Sequence, residues 1–216
     1  MLISHRKKFI FTKTAKTAGT SVESFFEEFC MPEGVWTESH QREEHVSEAG
    51  IVGYRGPQSQ ARRWFNHMPA LTIRSAISEE VWTSYFKFTT VRNPFTKLVS
   101  VYLNLVRPAA GDAAPAIDGF RRWVAKGDIL IDRDKYLIDG SLCVDSFIRF
   151  ESLGDGIREV CRRLDITKKV DALPKFKQRK DGENVRVEDF YDSAARQKVE
   201  RIYAWELENL GYGFPS

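Results

Sequence analysis

The chain has 216 residues, 42% of them hydrophobic, which is enough to bury one substantial core and favours a single domain over 1–216. Its 33 lysines and arginines are interspersed with 30 acids, and the resulting net charge of +3 excludes an extended nucleic-acid footprint while leaving room for a local anion pocket. Cys30, Cys143 and Cys161 are odd in number, far apart and without a CxxC pair, so neither a disulfide framework nor a zinc site fits them, and reduced thiols are expected.

Met1-Leu2-Ile3-Ser4-His5-Arg6-Lys7-Lys8 runs straight into the first strand and leaves no uncharged leader, and no apolar run approaches a membrane span. An unexported, cytoplasmic protein without stable membrane insertion is the expectation. Phe9-Ile10-Phe11-Thr12 is a short β-branched and aromatic run that stops at a loop of small and polar residues, Lys13 to Gly19. Val22, Phe25, Phe26 and Phe29 then fall at i, i+3, i+4 and i+7 on one helical face, with Thr20 or Ser21 as N-cap. Strand, loop and helix in this order bring together backbone N–H groups, the positive end of a helix dipole, the hydroxyls of Thr17, Thr20 and Ser21 and the ammonium of Lys16. Such a set suits an anion. The loop is not GxxxxGK[ST], because Lys16 precedes its only glycine, Gly19, and this speaks against an ordinary triphosphatase. On these residues alone, a plain strand–turn–helix corner with Lys16 in solvent stays open.

Residues 35–63 show no clean period, and Glu38 to His45 reads as an exposed lid or partner surface. His40 and His45 lack a third ligand and suitable spacing, so no metal is expected. A helix is predicted over Thr72 to Val81, with Ile73, Ile77 and Val81 on one face, and a strand over Tyr85 to Val91. Asn93 is a natural N-cap and Pro94 a natural first helical residue, so a helix starts there and buries Leu98, Val101, Tyr102 and Leu105. Residues 107–116 read as a small-residue loop, Phe120, Trp123 and Val124 as a short helix, and 127–142 as irregular. Val144 to Phe150 is a third strand, followed by a helix with Leu153, Ile157, Val160, Cys161 and Leu164 inside. After a basic loop over 173–182, Asp192 or Ser193 caps a helix carrying Val199, Ile202, Tyr203, Leu207 and Leu210, stopped by Gly211. Three strand-to-helix units predict an α/β fold of three layers: a central parallel sheet, a P-loop-like phosphate-binding loop and helices on both faces. Ligands bind such sheets beyond the carboxyl ends of the strands, where Lys16 and Arg92 both lie.

Two motifs in this order resemble those of the sulfotransferases that use 3′-phosphoadenosine 5′-phosphosulfate (PAPS). Thr14-Ala15-Lys16-Thr17-Ala18-Gly19-Thr20-Ser21 looks like their 5′-phosphosulfate loop, PKTAGTS, and Arg92-Asn93-Pro94-Phe95-Thr96-Lys97-Leu98-Val99-Ser100-Val101-Tyr102 like their 3′-phosphate motif, RNPxxRxVSxY. The likeness extends through His67, Val144 to Glu151 and Glu208 to Tyr212. It is strongest to bacterial relatives of Golgi carbohydrate sulfotransferases such as heparan sulfate 2-O-sulfotransferase. Ala15 replaces the family's proline and Lys97 its arginine, the latter keeping charge but losing the planar fork. The resemblance implies transfer of a sulfuryl group from PAPS to a hydroxyl acceptor, a carbohydrate above all. Lys16 and the amides of Thr17, Ala18, Gly19, Thr20 and Ser21 would stabilise the leaving phosphate. Arg92 and Ser100 would hold the 3′-phosphate, and His67 would take the acceptor's proton. Arg179 and Lys180 lie where relatives close a loop over the nucleotide, although a solvated charge run fits them too. Carboxylates of the 38–44 segment compete with His67 as base. The rival readings are a kinase-like phosphotransferase requiring ATP and Mg²⁺, and a non-catalytic nucleotide-binding protein.

Overall fold

Period-two alternation sorts the first strands between two cores. In β1 (Leu2–Ser4) and β2 (Phe9–Thr12), Leu2, Phe9 and Phe11 point to one face of a sheet and Ile3 and Ile10 to the other, all fully buried. Helix α1 (Gly19–Glu27) lays Val22, Phe25 and Phe26 on the first face. The computed structural model describes residues 1–57, 61–110, 117–127, 129–173 and 186–215. Along them follow β3 (His45–Ser47), β4 (Gly50–Val52), α2 (Ala70–Ala76), α3 (Glu79–Ser84), β5 (Phe86–Val91), α4 (Pro94–Ala110) and α5 (Ile117–Lys126). A hairpin of β6 (Leu137–Ile138) and β7 (Ser141–Leu142), then β8 (Ser146–Arg149), α6 (Leu153–Arg163), α7 (Ser193–Ile202) and α8 (Ala204–Leu210) complete the chain.

The chain divides into two units, Met1–Val91 with Asp132–Gln178 and Arg92–Ile131 with Arg179–Ser216. The first contains a six-stranded sheet in the order β3-β4-β1-β2-β5-β8. Strands β2, β5 and β8 are parallel, as expected for strands each followed by a helix, with Phe11 opposite Phe88 and Thr90 opposite Ile148. The remaining pairings, β1 with β2, β1 with β4 and β3 with β4, are antiparallel. These three-residue strands are too short to show a period, which is why 1–8 and 35–63 did not read as sheet. On one face α1 and α6 pack with Phe9, Phe11, Phe88 and Ile148; on the other, Ala70 and Ile73 of α2 and Trp82 of α3 pack with Ile3, Ile10 and Ile51. Phe26 meets Phe9 and Phe88 edge-on at 5.7 and 5.1 Å, so the first core is largely aromatic.

The second unit is helical, its core built from Phe95, Leu98, Tyr102, Phe120, Val124, Phe190, Val199 and Tyr203. Asn93 caps α4 as expected, its Oδ1 accepting from Phe95 N–H at 3.0 Å. Asp192 caps α7 through Ala195 N–H at 2.8 Å, and Gly211 ends α8 in the left-handed region at φ 64°.

Local chemistry overrode periodicity in several places. The helix predicted over 72–81 is two helices, because Ser78 caps a second one by accepting from Val81 N–H at 3.3 Å. The final helix likewise breaks at Tyr203. Helix α4 runs on to Ala110, so the first four residues of the predicted 107–116 loop are helical and the rest lie outside the described residues.

Candidate active site

Between β2 and α1 the backbone takes an unusual course. Lys16 and Ala18 have positive φ, 60° and 59°, on either side of Thr17, whose φ is negative. Left-handed residues on both sides of Thr17 are the kind of backbone that can aim successive N–H groups at one anion. Left-handed non-glycine residues cost on the order of 1–3 kcal/mol each and persist only where their surroundings enforce them. Here the enforcement is visible. Thr17 Oγ1 lies 2.7 Å from Thr90 Oγ1 and 2.9 Å from Thr14 Oγ1, Thr14 donates to the Thr90 carbonyl, and Ala15 N–H donates to Asp132 Oδ2 at 3.0 Å. The Thr17 hydroxyl, expected to face the anion, is therefore committed to the end of β5, and what Thr17 can offer a ligand is its N–H.

Helix α1 begins at Gly19, earlier than either expected cap. Ala18 is the N-cap and makes no side-chain cap bond; its carbonyl accepts from Ser21 and Val22 N–H at 2.9 and 3.1 Å. The left-handed turn at Ala18 feeds the chain directly into the helix, so neither Thr20 nor Ser21 caps it. No acid occupies the first turn, which leaves the dipole's positive end uncompensated by charge there. Gly19 is required by close approach: a Cβ would sit 2.9 Å from Lys13 Cγ and 3.2 Å from the Thr14 carbonyl oxygen. Gly19→Ala is expected to cost about 1–3 kcal/mol by overpacking, measurable by urea denaturation.

Lys13, three residues before Lys16, turns inward. Its side chain is 2% exposed, and its ammonium pairs with Glu23 Oε2 of α1 at 2.7 Å. Glu23 is fully buried and also faces the Met1 ammonium at 2.6 Å and Arg55 Nη1 at 3.0 Å. Arg55 in turn meets Glu27 at 2.9 Å and donates to the carbonyls of His40 and Ser39 at 2.8 and 2.7 Å, while Arg42 pairs with Glu27. The segment expected as an exposed lid or partner surface, Glu38 to His45, contains no buried residue, and these bonds anchor its backbone to the interior. Of the segment's carboxylates, Glu44 accepts from Trp64 N–H at 3.0 Å and Glu43 faces Arg62 at 3.4 Å in an exposed pair.

His67 stands against this network. Its backbone is left-handed, φ 58°, and its Nδ1 lies 3.1 Å from the Lys13 carbonyl oxygen. A carbonyl only accepts, so Nδ1 carries the hydrogen and Nε2 keeps a lone pair. Burial, reinforced by the positive charge of Lys13, pushes the imidazole pKa down to about 4. At neutral pH the ring is uncharged and able to accept a proton at Nε2.

In the second unit, Arg92 immediately follows β5 and its Nε donates to Thr96 Oγ1 at 2.9 Å; Thr96 donates onward to the Asn93 carbonyl at 3.1 Å. Ser100 lies on α4, two turns into that helix. Arg179 and Lys180 lie outside the described residues.

A sequence profile of the sulfotransferase family matches residues 1–213, across both units. The chain belongs to the sulfotransferase family. No curated protein and no solved structure matches it significantly. Family membership makes this an enzyme of sulfuryl transfer. No helix among the described residues is long and apolar enough to cross a membrane. The first unit of this sulfotransferase brings together Lys16, the amides of Thr17 to Thr20 and, through the Lys13 carbonyl, His67; the Ser21 amide, expected among them, donates instead to the Ala18 carbonyl. The side chains that support them, Lys13, Glu23, Arg55, Thr90 and Asp132, went unread in the sequence. Their one available signal was the pair Glu23 and Glu27 at i, i+4, two acids within a helix so rich in phenylalanine that little of its surface could remain exposed.

Proposed function

We propose that the chain transfers the sulfuryl group of PAPS to a hydroxyl of a carbohydrate, in the cytoplasm, with His67 as base and Lys16 stabilising the leaving phosphate. The observation that carries this reading is the partly buried His67, its Nδ1 3.1 Å from the Lys13 carbonyl oxygen of the loop between β2 and α1, which leaves Nε2 as the acceptor. PAPS supplies a sulfuryl group already activated on a 5′-phosphate. As the acceptor oxygen bonds to sulfur and the sulfur–phosphate oxygen bond breaks, His67 Nε2 takes the hydroxyl proton. Negative charge grows on the departing oxygen, and Lys16 with the amides of Thr17 to Thr20 meets it. Little covalent work falls to the protein; alignment and fixed charge supply most of the rate. Arg92, its guanidinium braced by Thr96, and Ser100 are assigned to the 3′-phosphate, and Arg179 and Lys180 to closure over the nucleotide, on the strength of the family motif. The carbohydrate acceptor rests on the likeness to carbohydrate sulfotransferases, and the cytoplasmic setting on three separated cysteines without a pairing pattern.

The deciding experiment is thermal stabilisation by adenosine 3′,5′-bisphosphate, compared with AMP and with ATP plus Mg²⁺. At a hundred times its dissociation constant, a ligand of the folded state contributes about 2.7 kcal/mol, a shift of several degrees for a chain of this size. Selective stabilisation by the bisphosphate, lost in Arg92→Ala, is expected. Indifference to it together with a response to ATP and Mg²⁺ would replace this reading with a phosphotransferase, and tight bisphosphate binding without transfer to any acceptor would mark a non-catalytic binder.

A further inference from the structure

Four charged side chains, Lys13, Glu23, Glu27 and Arg55, are each at most 4% exposed and form one connected group beneath the anion loop. Burying charge in this way is a poor route to stability, since well-packed apolar replacements of such groups are often neutral or stabilising. We propose that Lys13 is a positioning residue for His67, acting through its carbonyl oxygen on one ring nitrogen and through the field of its Glu23-held ammonium on the proton the other nitrogen can take. This rests on the assignment of His67 as the base.

The geometry separates the two Lys13 functions. The carbonyl, 3.1 Å from Nδ1, fixes the tautomer and leaves Nε2 as the acceptor. The ammonium is not a substrate contact, because it is buried and committed to Glu23 at 2.7 Å. Its influence on the ring is electrostatic. The charged groups acting on His67 are Lys13 of the loop, Glu23 of α1, the Met1 ammonium ahead of β1, and Asp132. Among them Lys13 acts most strongly, and it opposes protonation of the ring, in the same direction as burial. Glu23 holds the ammonium in place, and Lys13 belongs to the same short loop as Lys16, so the base and the leaving-group cation share one anchor. Lys16 meets the leaving oxygen; Lys13 keeps the base in its working form.

The test uses the whole protein labelled with ¹⁵N and ¹³C in its four histidines, with His67→Gln identifying the resonances of His67. In the wild type, His67 is expected as the Nδ1–H tautomer, titrating well below the ordinary histidine range. In Lys13→Met, which keeps length and backbone but removes charge, the His67 midpoint rises by about one pH unit. Lys13→Arg restores a value near that of the wild type. A folded Lys13→Met with an unmoved midpoint overturns the proposal, as does an Nε2–H tautomer in the wild type. If Lys13→Met does not fold, Lys13→Gln, which can still hydrogen-bond Glu23, gives the same reading. These resonances report on the ring whether or not sulfate is transferred, so failure of the sulfotransferase mechanism and failure of this proposal are distinguishable.

Discussion

If His67 is the base, replacing it by alanine is expected to lower kcat of sulfuryl transfer by about 10²–10⁴-fold, the usual contribution of a positioned general base, while the bisphosphate is expected still to stabilise the protein. Loss of activity with nucleotide binding retained is the combination a base predicts and a merely structural histidine does not. A variant within a few-fold of wild type would transfer the role of base to another group. The pH dependence carries the same signature. With the ring pKa at about 4, kcat/KM attributable to the base stays level from pH 8 to roughly 5 and falls only as pH approaches 4. Stability responds in a different window. An unfolded histidine titrates near 6.5, so between about 6.5 and 4 the unfolded chain binds a proton that the folded one refuses. Stability therefore falls as pH drops through that interval, and His67→Gln flattens the slope in urea denaturation at pH 7 and 5.

Glu23→Gln is expected to destabilise the fold by about 3–5 kcal/mol, the scale for removing one member of a buried ionic group. The carboxylate faces the ammonium of Lys13 at 2.7 Å, the Met1 ammonium at 2.6 Å and Arg55 at 3.0 Å, and an amide leaves all three positive charges without their shared counter-charge. Burial alone would raise the Glu23 pKa, but Lys13, the N-terminus and Arg55 together outweigh it and hold the carboxyl well below the ordinary carboxylate range. The stability it contributes is thus complete above the unfolded value of about 4.3 and is lost progressively as pH falls from there toward the depressed folded value. Chemical denaturation at pH 7 measures the loss directly. A change under about 1 kcal/mol would mean that the three cations find water or other partners, and that Glu23 does not hold the group together.

Much of the local chemistry was written in the sequence, although the cap of α1 at Ala18 and the break at Ser78 were not. Phe9 to Thr12 followed by the Val22, Phe25, Phe26 stripe made a strand and a helix around a loop, because alternation and the 3.6-residue period are properties of neighbouring residues. Asn93, Asp192 and Gly211 marked helix ends for the same reason, since a cap is made within three or four residues. The parallel order of β2, β5 and β8 followed from the helix after each strand. The family motifs pointed to Lys16, His67 and Arg92 by position. What the sequence could not determine were the partners supplied from far along the chain. Whether Lys13 or Lys16 faced inward depended on Glu23 arriving beneath the loop; the use of the Thr17 hydroxyl depended on Thr90, in a strand more than seventy residues away. The antiparallel half of the sheet depended on β1 and β4 meeting, and the protonation state of His67 on the burial and charge gathered around it. Each of these is an interaction between groups distant in sequence, whose energy exists only once tertiary packing has removed water from between them.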